Sequence, residues 1–355
     1  MPDYGFNRRT HDRFMSQNAR LNNGTFIYLF LILTSFLISE ITYAKPGYAI
    51  RNDLFSISFP NEREGWACGR WGTVLHTDDG GKSWILQDSS TDYTLASIFF
   101  TDPQNGWAVG QGGTIINTSD GGKSWVKQKC PVDYFLMGVC FVNEQKGWAV
   151  TEWTTILHTE DGGKKWQIQF TGIDNILKSV SFCDTLNGWA VGEYGYIYHT
   201  SDGGLNWEEQ AGLFYISEKD GDIKGGNTLF DVRTIDPVRA WVVGIDNYIA
   251  RTQDGGTIWE KIETPDIPKT RLFGICLDSD EGTILIGGKD VLLVSQDGGK
   301  RFIGPKVDPP VIGGWIYKIT PLGSEGFAAV GNNGGIYLGD RKGMNWKRIE
   351  IRGGS

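Results

Sequence analysis

Thr118-Ser119-Asp120-Gly121-Gly122-Lys123-Ser124-Trp125 decides the fold, because it is one copy of a recurring pattern. Thr-x-Asp-Gly-Gly-x-x-Trp also fills Thr77–Trp84, Thr159–Trp166, Thr200–Trp207 and Thr252–Trp259. Ser295–Phe302 keeps the pattern with Ser and Phe at its ends, and Gly339–Trp346 retains only Gly343 and Trp346. The terminal aromatics are 41, 41, 41, 52, 43 and 44 residues apart, so seven units run from about residue 48 to the C-terminus. In the second unit, turn-forming residues separate four apolar runs, which reads as strands at 97–100, 107–110, 114–118 and 124–128. Short four-stranded units repeated at this period describe blades arranged around an axis. The expectation is an all-β, seven-bladed β-propeller of four-stranded antiparallel blades over residues 45–355, with units ending near Trp84, Trp125, Trp166, Trp207, Trp259, Phe302 and Trp346. The first unit already has an inner strand near 55–59 and the last ends on its own outer strand, so closure is expected by packing of blade seven on blade one.

The repeat also explains residues that first look chemical. Asp79, Asp120, Asp161, Asp202, Asp254 and Asp297 each take the same slot of one turn, the Asp box. A carboxylate there can accept hydrogen bonds from its own turn, while the glycines supply positive φ. One carboxylate per turn is spread around a rim, which suits neither acid/base pairing nor a calcium loop with several oxygens. His76, His158 and His199 fall in one column of units one, three and four, too dispersed to meet on one zinc ion. Trp66, Trp107, Trp148, Trp189 and Trp241 form a second aromatic column and are read as core. No nucleophile–His–acid set, phosphate loop or Cys-x-x-Cys occurs, so no catalytic residue, metal or cofactor is assigned.

The N-terminus reads as an export signal. An uncharged apolar run at 25–38 follows Arg8, Arg9, Arg13 and Arg20 and precedes Thr42-Tyr43-Ala44, a small-x-small cleavage pattern. Residues 1–44 are therefore expected to be a signal peptide, with an uncleaved membrane anchor as the alternative, and Met15 is an alternative start. Its removal takes four basic and three acidic residues and changes the formal net charge from −8 to −9. An acidic surface disfavours nucleic acid and anionic lipid as partners. Five irregularly spaced cysteines read as free thiols, with a Cys140–Cys183 bridge left open. The protein is expected in the periplasm or outside the cell, as a monomer.

The units, of the form G-W-A-V-G followed by T-I-x-x-T-x-D-G-G-K-x-W, resemble the photosystem II stability and assembly factor-like family over about 300 residues. That resemblance implies a seven-bladed propeller serving as a chaperone-like scaffold for membrane-protein intermediates. The family's clustered arginines are not matched within one unit here, and no Cys precedes Cys68 to carry a lipid. Asp boxes also occur in sialidases and xyloglucanases, so a carbohydrate-binding or glycoside hydrolase-like propeller is the alternative to a protein-interaction scaffold.

Candidate binding residues are those that break the repeat. Strand alternation puts the loops between second and third strands on the face opposite the boxes. Their tips carry Arg70-Trp71, Glu152-Trp153 and Glu193-Tyr194, where the second unit has Gln111-Gly112. Exposed aromatics beside charges suit a protein interface. Arg233 sits on an inner strand where other units have Ser58, Phe99, Cys140, Ser181 and Cys276, and a charge near the axis needs a partner. The 52-residue spacing places an insertion at 214–227 on the same face. Arg70, Trp71, Glu152, Trp153, Tyr194 and Arg233 are the expected binding set, for a protein partner such as an unassembled membrane or envelope complex. Trp315 is aligned with the leucine that opens the inner strand in other units and is expected in the core.

Overall fold

The computed structural model describes residues 51–172, 175–212, 214–216, 223–278 and 282–351; the expected signal segment lies outside them. Among the described residues each repeat forms one blade sheet, seven in all, and the insertion adds a separate two-stranded sheet. The second blade has strands Leu95–Phe100, Gly106–Gly110, Thr114–Thr118 and Val126–Lys127, in sequential antiparallel order. Its outer strand starts after Trp125 instead of at Ser124, because that residue still belongs to the turn. Blades one, three, four and five repeat this plan.

The turns are built as their residue types demand. Thr118 Oγ1 donates to Asp120 Oδ1 at 2.8 Å and accepts from the Gly122 amide at 2.8 Å. Asp120 in turn accepts from the Ser124 amide at 2.9 Å and the Ser124 hydroxyl at 2.6 Å. The Ser124 bonds hold the Asp120 carboxyl below its ordinary range, and the Lys165 amide does the same first for Asp161. Both glycines of the turn have positive φ, 73° and 79° at Gly121 and Gly122.

The same turns latch one blade to the next. The Trp107 indole N–H donates to the Gly162 carbonyl of the following blade at 3.0 Å, and Trp148 reaches Gly203 at 3.2 Å. A glutamine on each outer strand joins the same acceptor: Gln128 Nε2 to Gly162 at 2.9 Å and Gln169 Nε2 to Gly203 at 2.9 Å. A Cβ on Gly163 would lie 2.1 Å from Gln128 Oε1, so the second glycine is fixed by its neighbour as well as by φ.

An aromatic stack runs beneath each latch. Trp66 lies flat on Phe100 of blade two at 3.7 Å, and Phe100 meets Trp125 edge-on at 5.9 Å. Trp107–Phe141–Trp166 and Trp148–Phe182–Trp207 repeat it. The ring leaves no room for a side chain opposite: a Cβ on Gly106 would lie 2.4 Å from Phe100. Where Thr234, Leu277 and Pro321 replace that phenylalanine, their strand partners are Ala240, Ile284 and Phe327. The three histidines stack on this column too, His158 on Trp148 at 5.0 Å. Burial pushes the His158 and His199 rings down from the ordinary value, and His76 is held by Glu64 at 2.7 Å.

Blades six and seven depart from the four-strand plan. Blade six has Leu272–Leu277, Ile284–Gly288 and Leu292–Ser295, then a single bridge to Ile303. Gly304-Pro305 follows, and proline cannot donate to a ladder. Lys306–Asp308 instead pairs in parallel with the outer strand Asn345–Ile349 of blade seven, which becomes five-stranded. Blade seven meets blade one through the Gly334 amide to Asn52 O at 2.9 Å and the Asn333 amide to Asp53 Oδ1 at 3.0 Å. The insertion folds back as a hairpin of Phe214–Ile216 on Ile223–Gly225. All five cysteines are free, Cys140 and Cys183 included.

Replacing Trp148 removes a fully buried indole, its stack and its inter-blade bond at once. Trp148→Ala is expected to cost about 3–5 kcal/mol, read from the shift of the urea unfolding midpoint at unchanged slope.

Candidate functional site

The inner strands surround a central channel of about 940 Å³. At the start of each inner strand one column faces the mouth: Phe55, Ala96, Met137, Lys178, Phe230, Phe273 and Tyr317. Its aromatic members form an arc across blades five, six, seven and one. Phe230 meets Phe273 at 5.1 Å, Phe273 meets Tyr317 at 5.4 Å, and Tyr317 meets Phe55 at 5.1 Å. Trp315 completes the arc, stacked on Phe273 at 5.6 Å and half-buried, so its expected place in the core is corrected. The register explains the difference: Ile316, paired with Gly331, takes the slot that Leu54 fills opposite Gly69, and Trp315 precedes it.

The next layer down holds a buried ion pair. Asp231 is buried and receives Lys318 Nζ at 2.9 and 2.8 Å, the Ser179 hydroxyl at 2.7 Å and the Ile275 amide at 3.0 Å. One carboxylate thereby ties blades four, five, six and seven. Blade six has Gly274 at this level, so no side chain of that blade stands between the partners.

Arg233 lies on the inner strand opposite Trp241, at the slot expected from the sequence, and lines the channel. No ion pair to it is formed among the described residues. Burial pushes the nearby Cys276 thiol up to about 12, against the pull of Arg233 and Lys318, and raises Cys140 in the same way. Both stay protonated at neutral pH, so these thiols supply no negative charge to the guanidinium.

The other expected residues sit at loop tips and are not drawn into one cluster. Arg70 donates to Asp53 at 2.9 Å and lies over the Phe55 ring at 5.8 Å, joining the tip of blade one to the channel mouth. Glu152 accepts the Phe135 amide at 2.9 Å and so braces its own blade. Trp71 is 71% exposed and Trp153 50%, whereas Tyr194 packs partly against the blade-four core.

These three aromatics share a costly backbone. Trp71, Trp153 and Tyr194 have φ of 57°, 66° and 56°, where the equivalent residues are Gly112, Asp246 and Asn333. The conformation has a structural cause: the next amide turns toward the following blade, Gly72 N to Tyr93 O at 2.9 Å and Thr154 N to Asn175 O at 2.7 Å. Glycine, Asn and Asp tolerate it, whereas a bulky side chain costs about 1–2 kcal/mol. Neither packing nor the turn therefore calls for the two exposed tryptophans.

Sequence reading missed the mouth arc and the glutamine latch. Gln87, Gln128, Gln169 and Gln210 recur every 41 residues, a signal as regular as the tryptophans. The arc varies from unit to unit, and only its place after the leading leucine marks it.

The family described as photosynthesis system II assembly factor YCF48 matches residues 84–171 and 219–352. The chain belongs to this family. No curated protein matches it. The solved structure titled "YCF48 bound to D1 peptide" is 21% identical, with a TM-score of 0.65 over 82% of this chain and 95% of the other. YCF48 from Cyanidioschyzon merolae is 19% identical, with a TM-score of 0.64 over 82% and 98%. The GH74 enzyme of Niastella koreensis is 13% identical, with a TM-score of 0.67 over 85% of this chain and 55% of the enzyme. At these identities the likenesses show the fold.

Two variants test how this YCF48-family face is built. Trp71→Gly removes an exposed ring and relieves the strained φ, so the melting temperature is expected to stay level or rise; a clear fall means the ring packs on the blade. Lys318→Met strands the Asp231 carboxylate and is expected to cost about 3–5 kcal/mol in urea denaturation, with Asp231→Asn in the same chain restoring part of it.

Proposed function

We propose that this protein is a non-catalytic, exported scaffold that holds a polypeptide of an unassembled membrane or envelope complex on the face opposite the repeated Asp turns. The observation that carries the reading is the pair of exposed tryptophans, Trp71 and Trp153, held in a backbone conformation that disfavours them. Large rigid aromatics at exposed positions are what protein interfaces use as anchors. Family membership supports an assembly role, and the D1 peptide bound to a YCF48 relative supports a polypeptide as the ligand class. The non-catalytic reading is supported by Asp231, whose carboxylate is engaged by Lys318, Ser179 and a backbone amide instead of facing a second acid.

Affinity capture from the source cell's envelope fraction tests the face. Trp71→Ala/Trp153→Ala is expected to lose the partners that the unaltered protein retains, with its melting temperature preserved. Retention of every partner removes this face from consideration. The aromatic arc also suits stacking on a sugar ring, and a glycan array carrying xyloglucan oligosaccharides separates that second reading from the first.

A further inference from the structure

We propose that the central channel is a site for an acidic residue of an extended polypeptide: a large apolar side chain of the partner seats in the aromatic arc, and a carboxylate about three residues further along pairs with Arg233. The inference rests on the docking of a polypeptide on this face and gives that docking a specific chemistry.

Three observations carry it. The first is the arc itself, Phe230, Phe273, Tyr317 and Phe55 in edge and tilted contact around one side of the mouth, widened by Trp315. Such a surface offers apolar area and ring edges to an incoming side chain.

The second is the charge below it. The whole chain is acidic, with a formal net charge of −8, yet the channel wall carries Arg233 with no ion pair among the described residues. The other cations of the wall are engaged: Lys318 is held by Asp231, Arg70 by Asp53 at 2.9 Å, and Lys178 lies 3.5 Å from Glu193. Asp231, the acid two residues before Arg233, already accepts four hydrogen bonds from three donors on three other blades. Arg233 is left to bind an anion brought from outside, and its planar fork suits a carboxylate.

The third is spacing. Phe230 and Arg233 lie three residues apart on one strand, Leu229–Thr234. A strand rises about 3.3 Å per residue, so the backbone positions of Phe230 and Arg233 are at most roughly 10 Å apart along the strand, shortened by the irregularity at Phe230. An extended peptide entering along the axis has the same rise and presents an apolar residue and an acid three positions later at matching depths. A free anion would use only Arg233, and an uncharged apolar ligand only the arc.

The test uses the full protein without its signal segment and two fluorescein-labelled hexapeptides, alike except for one residue. One carries Phe followed three positions later by Asp, and the other carries Asn in place of that Asp. Fluorescence polarisation is expected to show the acidic peptide binding at least about ten-fold more tightly. Arg233→Gln is expected to abolish the preference at an unchanged melting temperature, Arg233→Lys to keep part of it, and Phe273→Ala to weaken both peptides. Equal affinity for the two peptides overturns the proposal, as does a preference that survives Arg233→Gln or failure of both to bind at millimolar concentration. Competition by acetate or inorganic phosphate as strong as by the unlabelled peptide also overturns it, reassigning Arg233 to a small anion. Loss of partners from Trp71→Ala/Trp153→Ala without any acid preference leaves the face standing and removes the channel; the converse pair of results removes the tips and keeps the channel.

Discussion

One acceptor organises the regular part of this ring: the carbonyl of the first glycine in the Asp turns of blades two, three and four. It faces the preceding blade and receives an indole N–H and a glutamine amide from it, as Gly162 does from Trp107 and Gln128. The turn must hold that carbonyl in place, which is the work of the Thr–Asp–amide network behind it. The neighbouring glycine takes positive φ, and a Cβ there would displace the glutamine from its bond. Residue types that look local are therefore dictated from the next blade.

The channel depends on a different joint. With blade six reduced to Gly274 at the level of the buried pair, Lys318 reaches Asp231 from blade seven, and the inner wall is fastened across four blades by one carboxylate. Arg233 is exempt from that network, although it sits only two residues from Asp231. A charge that the fold leaves outside its own accounts is a different kind of residue from one that the fold consumes.

The architecture was legible because period and turn chemistry are local and repeated. Seven units, their strand order and the slot of Arg233 opposite Trp241 follow from counting along the chain. Trp315 was misplaced because a shift of one residue exchanges a core position for a mouth position, and the seventh unit has Ile316 where the others have Leu. The expectation of seven four-stranded blades passed over Gly304-Pro305, which breaks the outer edge of blade six, and the parallel partner on blade seven left no signal, since nothing in Lys306–Asp308 names a neighbour. The arc at the mouth was hidden for the opposite reason: its column varies, and variation carries no period.

The pairing of Gly106 with Phe100, and of Ala240 with Thr234, divides the ring into two parts. Blades one to four hold a common die, each aromatic ring paired with the gap that admits it. From blade five onward ring and gap differ together, Thr234 standing opposite Ala240 and Leu277 opposite Ile284. Most of the arc, the buried pair and Arg233 belong to that second half. Without that ring-and-gap pairing, those blades have room for side chains that a strict copy of blades one to four would not hold.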